Sequence, residues 1–426
     1  MQATRHISID SPGVRRAGRE LLSLALMDAR NHTLHLAGQF EAALGAGLDT
    51  AEVPHADATA VSPLWLLGHI GWFQEWWVLR NLQRQRGSNC DPSVLRLASL
   101  DTLADVWYNP ALNGQAGLRQ PPRSQGREQV PVPDLPGVKR YLLETLEATL
   151  ELLEKSPEDD EALYFYRLAL FHEDMQGEVL IELAQALGVA IKLPLPGGAS
   201  AREPLSVPAA RWSWGQAETD GFAFDNEQPA QIVQVPEFEI DAQPVTWAQF
   251  VEFVDDGGYD RPELWHADGW KWLSEKAQGE GRRGPRYVDQ IGVASGAVMQ
   301  TRFGKPMRML GSQSATHVTW WEADAWARWA GRRLPAEVEW EVAAHTAARQ
   351  GFRWGDVWEW TGTTFRGYPA FAPGPWREYS QPQFGTHKVL RGASFATRAR
   401  MKNPKFRGFA MPARDEMFCG FRSCAL

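Results

Sequence analysis

The sequence predicts a two-part chain: an all-α four-helix bundle followed by an α+β domain with much irregular structure. Three observations predict it. Four amphipathic runs between residues 13 and 192 repeat their apolar positions at helical spacing, with one long crossover among them. A stretch over 193–208 then carries Pro194, Pro196, Gly197, Gly198, Pro204 and Pro208, the composition of a linker. From 209 to 426 the segments become short, aromatic and interrupted by Gly and Pro, as in an α+β domain.

The elements follow in order. Residues 13–45 read as one helix, with Leu21, Leu22, Leu24, Leu26, Met27, Leu34, Leu36 and Phe40 on its stripe and Arg30, His32 and His35 interrupting it. Ser62 as N-cap and Pro63 at the first helical position start a second helix, which carries His69, Trp72, Phe73, Glu75, Trp76 and Trp77 and ends near Arg86-Gly87. The segment 90–136 is irregular and too long for a passive connector, so it is expected over the site or against a partner subunit. A third helix spans 138–155. Ser156-Pro157-Glu158-Asp159 caps a fourth over 160–187. Beyond the linker, 231–240 alternates like a strand, and 246–255, 320–329 and 335–344 read as short helices. Residues 353–426 read mostly as loops and short strands.

Composition narrows the function. The 426 residues carry a net charge of −8 with both signs interspersed, which argues against nucleic acid as a partner. No run of 18 apolar residues is present, so no membrane span is expected. The polar start, Met1 to Pro12, has no apolar signal region, and a cytoplasmic location is expected. Cys90, Cys419 and Cys424 are too few and too oddly spaced for a disulfide framework or a thiolate zinc site, and read as structural thiols. No phosphate-binding glycine loop and no nucleophile elbow occurs. The 20 tryptophans are the anomaly: they serve as core, as sugar-stacking surface or as faces for a cation.

One stretch carries candidate chemistry, Phe171-His172-Glu173-Asp174-Met175-Gln176-Gly177-Glu178. His172 and Gln176 are four apart and project from one helix face, with Met175 flanking it. A histidine with a polar partner one turn on is either half of a metal or acid–base site, or a buried, satisfied histidine. The second half of such a site would be 62–69, ending at His69.

These residues resemble a family. Ser62-Pro63, Leu67-Gly68-His69 and Trp72-Phe73-x-Glu75 are similar to the first iron-ligand motif of the ergothioneine-type sulfoxide synthases. His172-Glu173-x-Met175-Gln176-x-Glu178 is similar to their H-E-x-x-H-x-E motif. In the second half the same family is resembled by Asp256-Gly257-Gly258-Tyr259 and its continuation to Trp270, by 317–325, by 332–341, by Val357-Trp358-Glu359-Trp360-Thr361 and by 390–396. The resemblance implies a DinB-like four-helix bundle joined to a formylglycine-generating-enzyme-like, C-type-lectin-related domain. It also implies a mononuclear non-haem iron(II) centre at His69 and His172, with Gln176 as a weak or outer ligand. The implied reaction uses O2 to join a chalcogen donor to C2 of the hercynine imidazole. Trp360, Phe365, Tyr368, Phe409 and Arg414 are expected to bring the second domain to that centre, with Met175 beside the substrates.

Three departures from the family pattern bear on the donor. Gln176 stands where the family has a further histidine. Phe365 stands where the resemblance places a proton-delivering tyrosine, leaving Tyr368 as the nearby phenol. Gly408-Phe409-Ala410, followed by Arg414, replaces the substrate motif whose aspartate takes a donor's ammonium. Changes at catalytic positions on an unchanged scaffold resemble the sister branch that makes selenoneine from a selenosugar. Two other readings stand beside it: a sulfoxide synthase using cysteine, γ-glutamylcysteine or another thiol, and a degenerate, non-catalytic sugar- or cation-binding protein.

Overall fold

Local sequence sets the ends of each helix in the first half. The computed structural model describes residues 8–54, 60–110, 132–277, 282–292 and 296–426. After a 3-10 turn over Pro12–Arg16, α1 (Arg19–Leu44) begins at Gly18, so the single helix expected over 13–45 is broken at Ala17-Gly18. A two-stranded ribbon, β1 (Val53–Pro54) with β2 (Ala60–Val61), leads into α2 (Pro63–Gln74). Ser62 caps α2 through the backbone N–H of Trp65 at 3.4 Å. Every residue of α2 is buried, as expected of a helix apolar all round. It does not continue to Arg86 as the sequence reading had it: one π-helical turn over Glu75–Leu79 closes it.

The chain then packs along α2, forms the short helix α3 (Ala104–Tyr108), and returns as α4 (Leu135–Glu154), whose Asp134 accepts from Gly137 N at 2.9 Å. Of the irregular segment 90–136, residues 111–131 lie outside the described residues. Asp159 caps α5 (Asp160–Leu187), accepting from Ala162 N at 2.8 Å, and Gly188 ends it at φ 69°. The four long helices α1, α2, α4 and α5 pack against one another, and α5 is buried over most of its length.

The second half is built of small sheets and short helices. Leu205–Val207, inside the stretch read as linker, is already a strand, β3. β4 (Ala210–Trp214) pairs antiparallel with β5 (Gln231–Val235), and β6 (Phe238–Ile240) pairs with β3. Helices α6 (Trp247–Asp255) and α7 (Ala267–Trp272) follow, then an antiparallel meander of β7 (Val288–Gly292), β8 (Ala297–Arg302) and β9 (Lys305–Met309). Two further helices, α8 (Trp320–Trp329) and α9 (Glu337–Thr346), precede the last sheet. Its strands are β10 (Trp358–Thr364), β11 (Lys388–Gly392), β12 (Gly408–Ala410) and β13 (Cys419–Phe421), in the order β12-β11-β10-β13, with only β10–β13 parallel.

The apolar core does not stop at the linker. Phe171 of α5 stacks on Phe222 at 5.3 Å, and Phe73 of α2 meets Trp376 edge-on at 4.8 Å. No described helix is long and apolar enough to cross a membrane. The three cysteines are buried and free.

Candidate metal centre

The two histidines singled out in the sequence meet where α2 crosses α5. Their ring centroids are 5.4 Å apart at an interplanar angle of 67°. His69 lies between the rings of Trp65, at 4.9 Å, and Trp72, at 5.5 Å. His172 stacks on Phe73 at 3.6 Å and meets the edge of Trp376 at 5.5 Å.

His69 Nδ1 lies 3.0 Å from the Tyr108 carbonyl oxygen. A carbonyl only accepts, so Nδ1 carries the proton and Nε2 keeps its lone pair. The Tyr108 backbone is thus the outer partner of His69, and part of the 90–136 segment does serve the site. Gly68 makes room for it: a Cβ there would lie 2.1 Å from the Tyr108 ring. Two carboxylates, the half-buried Asp105 and the buried Glu75, seat this segment. Asp105 accepts from Trp72 Nε1 at 2.7 Å and pairs with Arg80, while Glu75 accepts from Ser99 Oγ at 2.8 Å and Leu100 N at 2.6 Å.

Both imidazoles are held neutral. Burial pushes His69 down to about 4, and burial followed by the nearness of His69 pushes His172 well below its ordinary value. Neutral imidazole is the ligating form. Gln176 Nε2 lies 3.2 Å from His172 Nε2, and its buried Oε1 has no partner among the described residues. An orphaned amide oxygen costs free energy unless something takes it up. Two neutral imidazoles and that oxygen form a donor set fit for a divalent first-row metal, weaker than three imidazoles. Among the described residues no cluster of three His, Cys, Asp or Glu offers an alternative. Gln176→His should therefore tighten iron(II) binding by at least roughly tenfold in an anaerobic titration. An unchanged affinity would show that Gln176 does not face the metal.

The acidic residues of the stretch turn away from the histidines. Glu173 pairs with Arg30 at 2.8 and 3.0 Å and accepts from Thr33 Oγ1 at 2.8 Å. Arg30 also donates to Gln74 and to the Leu142 carbonyl. Asp174 pairs with Arg400 at 2.6 and 2.9 Å, and Arg400 reaches Asp28 at 2.8 Å. Glu178 accepts from Trp358 Nε1 at 2.9 Å, from Thr397 Oγ1 at 2.7 Å and from Ser394 Oγ. These carboxylates fix the rotation of α5 and tie it to the second half.

The second half contributes aromatic rings. Trp376 stacks on Tyr379 at 4.6 Å, and Tyr379 Oη lies 4.0 Å from Met175 Sδ. Phe409 sits 5.4 Å from Tyr379 and stacks on Phe365 at 4.2 Å. Met175 and Val179 are half-buried in an otherwise buried stretch of α5, and Trp376 and Tyr379 are half-buried opposite Met175, which marks a cleft. Sequence reasoning missed both loop aromatics. The available signal was Trp376 and Tyr379 three apart in a loop rich in Pro and Gly.

Other expected residues lie elsewhere. Tyr368 packs on Trp214 at 4.5 Å and under the Arg407 guanidinium, which also lies over Phe365. Trp360 is fully buried in β10 and donates to the Val318 carbonyl at 2.7 Å, a core role. Gly408 and Ala410 alternate with Phe409 along β12 and point to the opposite face. Arg414 lies 3.7 Å from Glu182 and 3.6 Å from Glu416, at a level of α5 about 15 Å from His172 by helical rise. Burial raises Glu182 to about 8.

Known proteins match this chain in two ways. The model of the sulfatase-modifying factor enzyme 1-like domain matches residues 198–356 and 353–425. Hercynine oxygenase of Mycolicibacterium smegmatis is 31% identical over 459 residues, covering 95% of this chain and 98% of that protein. Hercynine oxygenase of Mycobacterium tuberculosis is 30% identical with the same coverage, 95% and 98%. The formylglycine-generating enzyme of Streptomyces coelicolor is 32% identical over 169 residues, covering 37% of this chain.

Proposed function

Because this chain belongs to the hercynine oxygenase family, we propose that it is a selenoneine-forming synthase, joining a selenosugar to C2 of the hercynine imidazole. The helical half is read as the DinB-like bundle of 13–192, joined through 193–208 to the second domain. In the reaction the imidazole C2–H and the donor Se–H hydrogens leave, a C–Se bond forms, and O2 takes up the electrons, its oxygens ending in water and on selenium. His69 and His172, with Gln176 completing the set, would hold iron(II), which would supply the electron transfer to O2.

The residues of the chain do the rest. The Tyr108 carbonyl and the Trp65 and Trp72 rings hold His69 in one orientation. Phe73, Trp376 and Tyr379 wall the histidines from water and offer ring faces to a trimethylammonium group. Burial, followed by the nearby carboxylates Glu227 and Asp225, keeps the Tyr379 phenol protonated. Position separates the two phenols: Tyr379 reaches Met175 at the cleft, whereas Tyr368, raised by burial as well, packs on Trp214.

What supports the donor reading is β12, Gly408-Phe409-Ala410, whose cleft-side residue is the phenyl ring of Phe409 and not a carboxylate. An amino-acid thiol brings an ammonium that needs a counter-charge when buried. A selenosugar with an acetylated amine does not, and its hydroxyls need only neutral hydrogen-bond partners. A second reading, a thiol-using sulfoxide synthase, draws on Glu182, whose Oε2 has no hydrogen-bond partner among the described residues and lies 3.7 Å from Arg414.

Mass spectrometry of products made from hercynine under air and under nitrogen tests the assignment. The expected order of donors is a 1-seleno-N-acetylhexosamine, then its thio analogue, then γ-glutamylcysteine. If γ-glutamylcysteine is best, the thiol reading replaces this one. If iron is absent from anaerobically purified protein and no donor turns over, the chain is a binding protein.

A further inference from the structure

A groove of about 490 Å³ runs beneath the linker, and no residue of the histidine cleft lines it. That volume falls within the roughly 300–1,000 Å³ of small-ligand sites. The linker residues Gly197, Gly198 and Ala199 form one wall. Two hydrogen bonds hold that wall in place: Gln313 Nε2 donates to the Pro196 carbonyl at 2.7 Å, and Ala199 N donates to the Ser312 carbonyl at 3.1 Å. Gly198 allows the close approach, since a Cβ there would lie 2.1 Å from Ser312 Oγ. The groove is therefore built into the fold.

Gln243, Ser312, Ser314 and Asp356 bring hydrogen-bonding side chains to this space, and the half-buried Trp354 brings an indole ring. Among the described residues, neither serine hydroxyl nor the Asp356 carboxylate has a hydrogen-bond partner. Burial raises the Asp356 carboxyl, while the charges of Lys402 and Arg353 act to lower it. The Lys402 ammonium donates instead to the Gly355 carbonyl at 3.3 Å. Charge then selects the ligand class. Asp356 on the wall opposes an anion. Lys402 and Arg353 already offset Asp356, so a cation gains little there. An uncharged molecule with several hydroxyls and one apolar face meets every group: a hydroxyl donates to the carboxylate, others pair with the serines and the amide, and C–H groups cover the indole.

We propose that the groove binds an uncharged sugar, one pyranose ring lying against Trp354 with its hydroxyls on Asp356, Ser312 and Ser314. The bound ring bridges the linker and the start of β10, at a place separate from the histidine pair. The site stands whichever chalcogen donor the histidine cleft accepts.

Saturation-transfer NMR on the full-length protein tests this, with methyl glucoside as the neutral probe, glucuronate as the anion and glucosamine as the cation. Methyl glucoside should bind with a millimolar Kd, glucuronate more weakly, and glucosamine no more tightly. Asp356→Ala should weaken methyl glucoside about tenfold, the loss of a hydrogen bond to a charged group, and Ser314→Ala about threefold. Trp354→Ala should abolish binding. Should Trp354→Ala fail to fold, Asp356→Ala decides, because no described side chain depends on its carboxylate. His172→Ala should bind the probe as the unaltered protein does. No binding of methyl glucoside, unchanged affinity in Asp356→Ala, or glucosamine bound tenfold tighter than the neutral sugar would overturn the site. Binding lost in His172→Ala but kept in Asp356→Ala would overturn it too, by placing the sugar at the histidine cleft, and would leave the donor reading standing.

Discussion

His172→Ala will lose iron(II) and turnover together, and His69→Ala will do the same. Each removes one of two imidazoles, and the orphaned Gln176 oxygen cannot hold a divalent metal with a single remaining histidine. The fold should survive. His172 is neutral and, among the described residues, its side chain hydrogen-bonds to Gln176 alone, so truncation costs what a large-to-small core change costs, about 2–4 kcal/mol. Phe73 loses its stacking partner in the process. Iron content after anaerobic reconstitution, read beside a circular dichroism melt, separates loss of metal from loss of fold. Full iron occupancy in the double alanine variant would refute the assignment of both ligands.

Arg30→Met will destabilise the protein more than any substitution in the cleft. Arg30 is fully buried and is the cation of Glu173, the residue next to His172. Removing it leaves a carboxylate in the core without a counter-charge, which costs about 3–5 kcal/mol. The Leu142 carbonyl and Gln74 lose their donor as well. Adding Glu173→Gln should recover part of the loss, because the uncompensated charge is then gone. Urea titrations of the single and double variants measure this. A cost for Arg30→Met below about 1 kcal/mol, the range of exposed ion pairs, would contradict it.

Much of the framework of the site was legible in the sequence. Ser62-Pro63 and Asp159 mark the starts of α2 and α5, and the spacing of His172 and Gln176 puts both on one face. What was not legible has physical causes. Arg30 interrupts an apolar stripe, and sequence leaves open whether it faces the site or the surface, because its partner lies 143 positions away. The outer partner of His69 is a backbone carbonyl, which carries no side-chain signature. The end of α2 was misplaced because Trp76 and Trp77 keep the helical apolar pattern through a turn that is no longer α-helical. Tyr368 and Tyr379 are both phenols near a family motif, and only the course of the loop between β10 and β11 decides which one reaches Met175.

The ties between α5 and the second half also set an order of events during synthesis. A chain leaves the ribosome from its N-terminus, so α5 emerges well before Trp358, which lies 180 residues beyond Glu178. Until then Asp174 and Glu178 have no Arg400, Trp358, Ser394 or Thr397 to receive them, and water is their only partner. The nascent helices therefore carry a wet, negatively charged flank. It becomes dry only when the last strands close over it, and the cleft beside His172 gains its Trp376 wall at the same late stage.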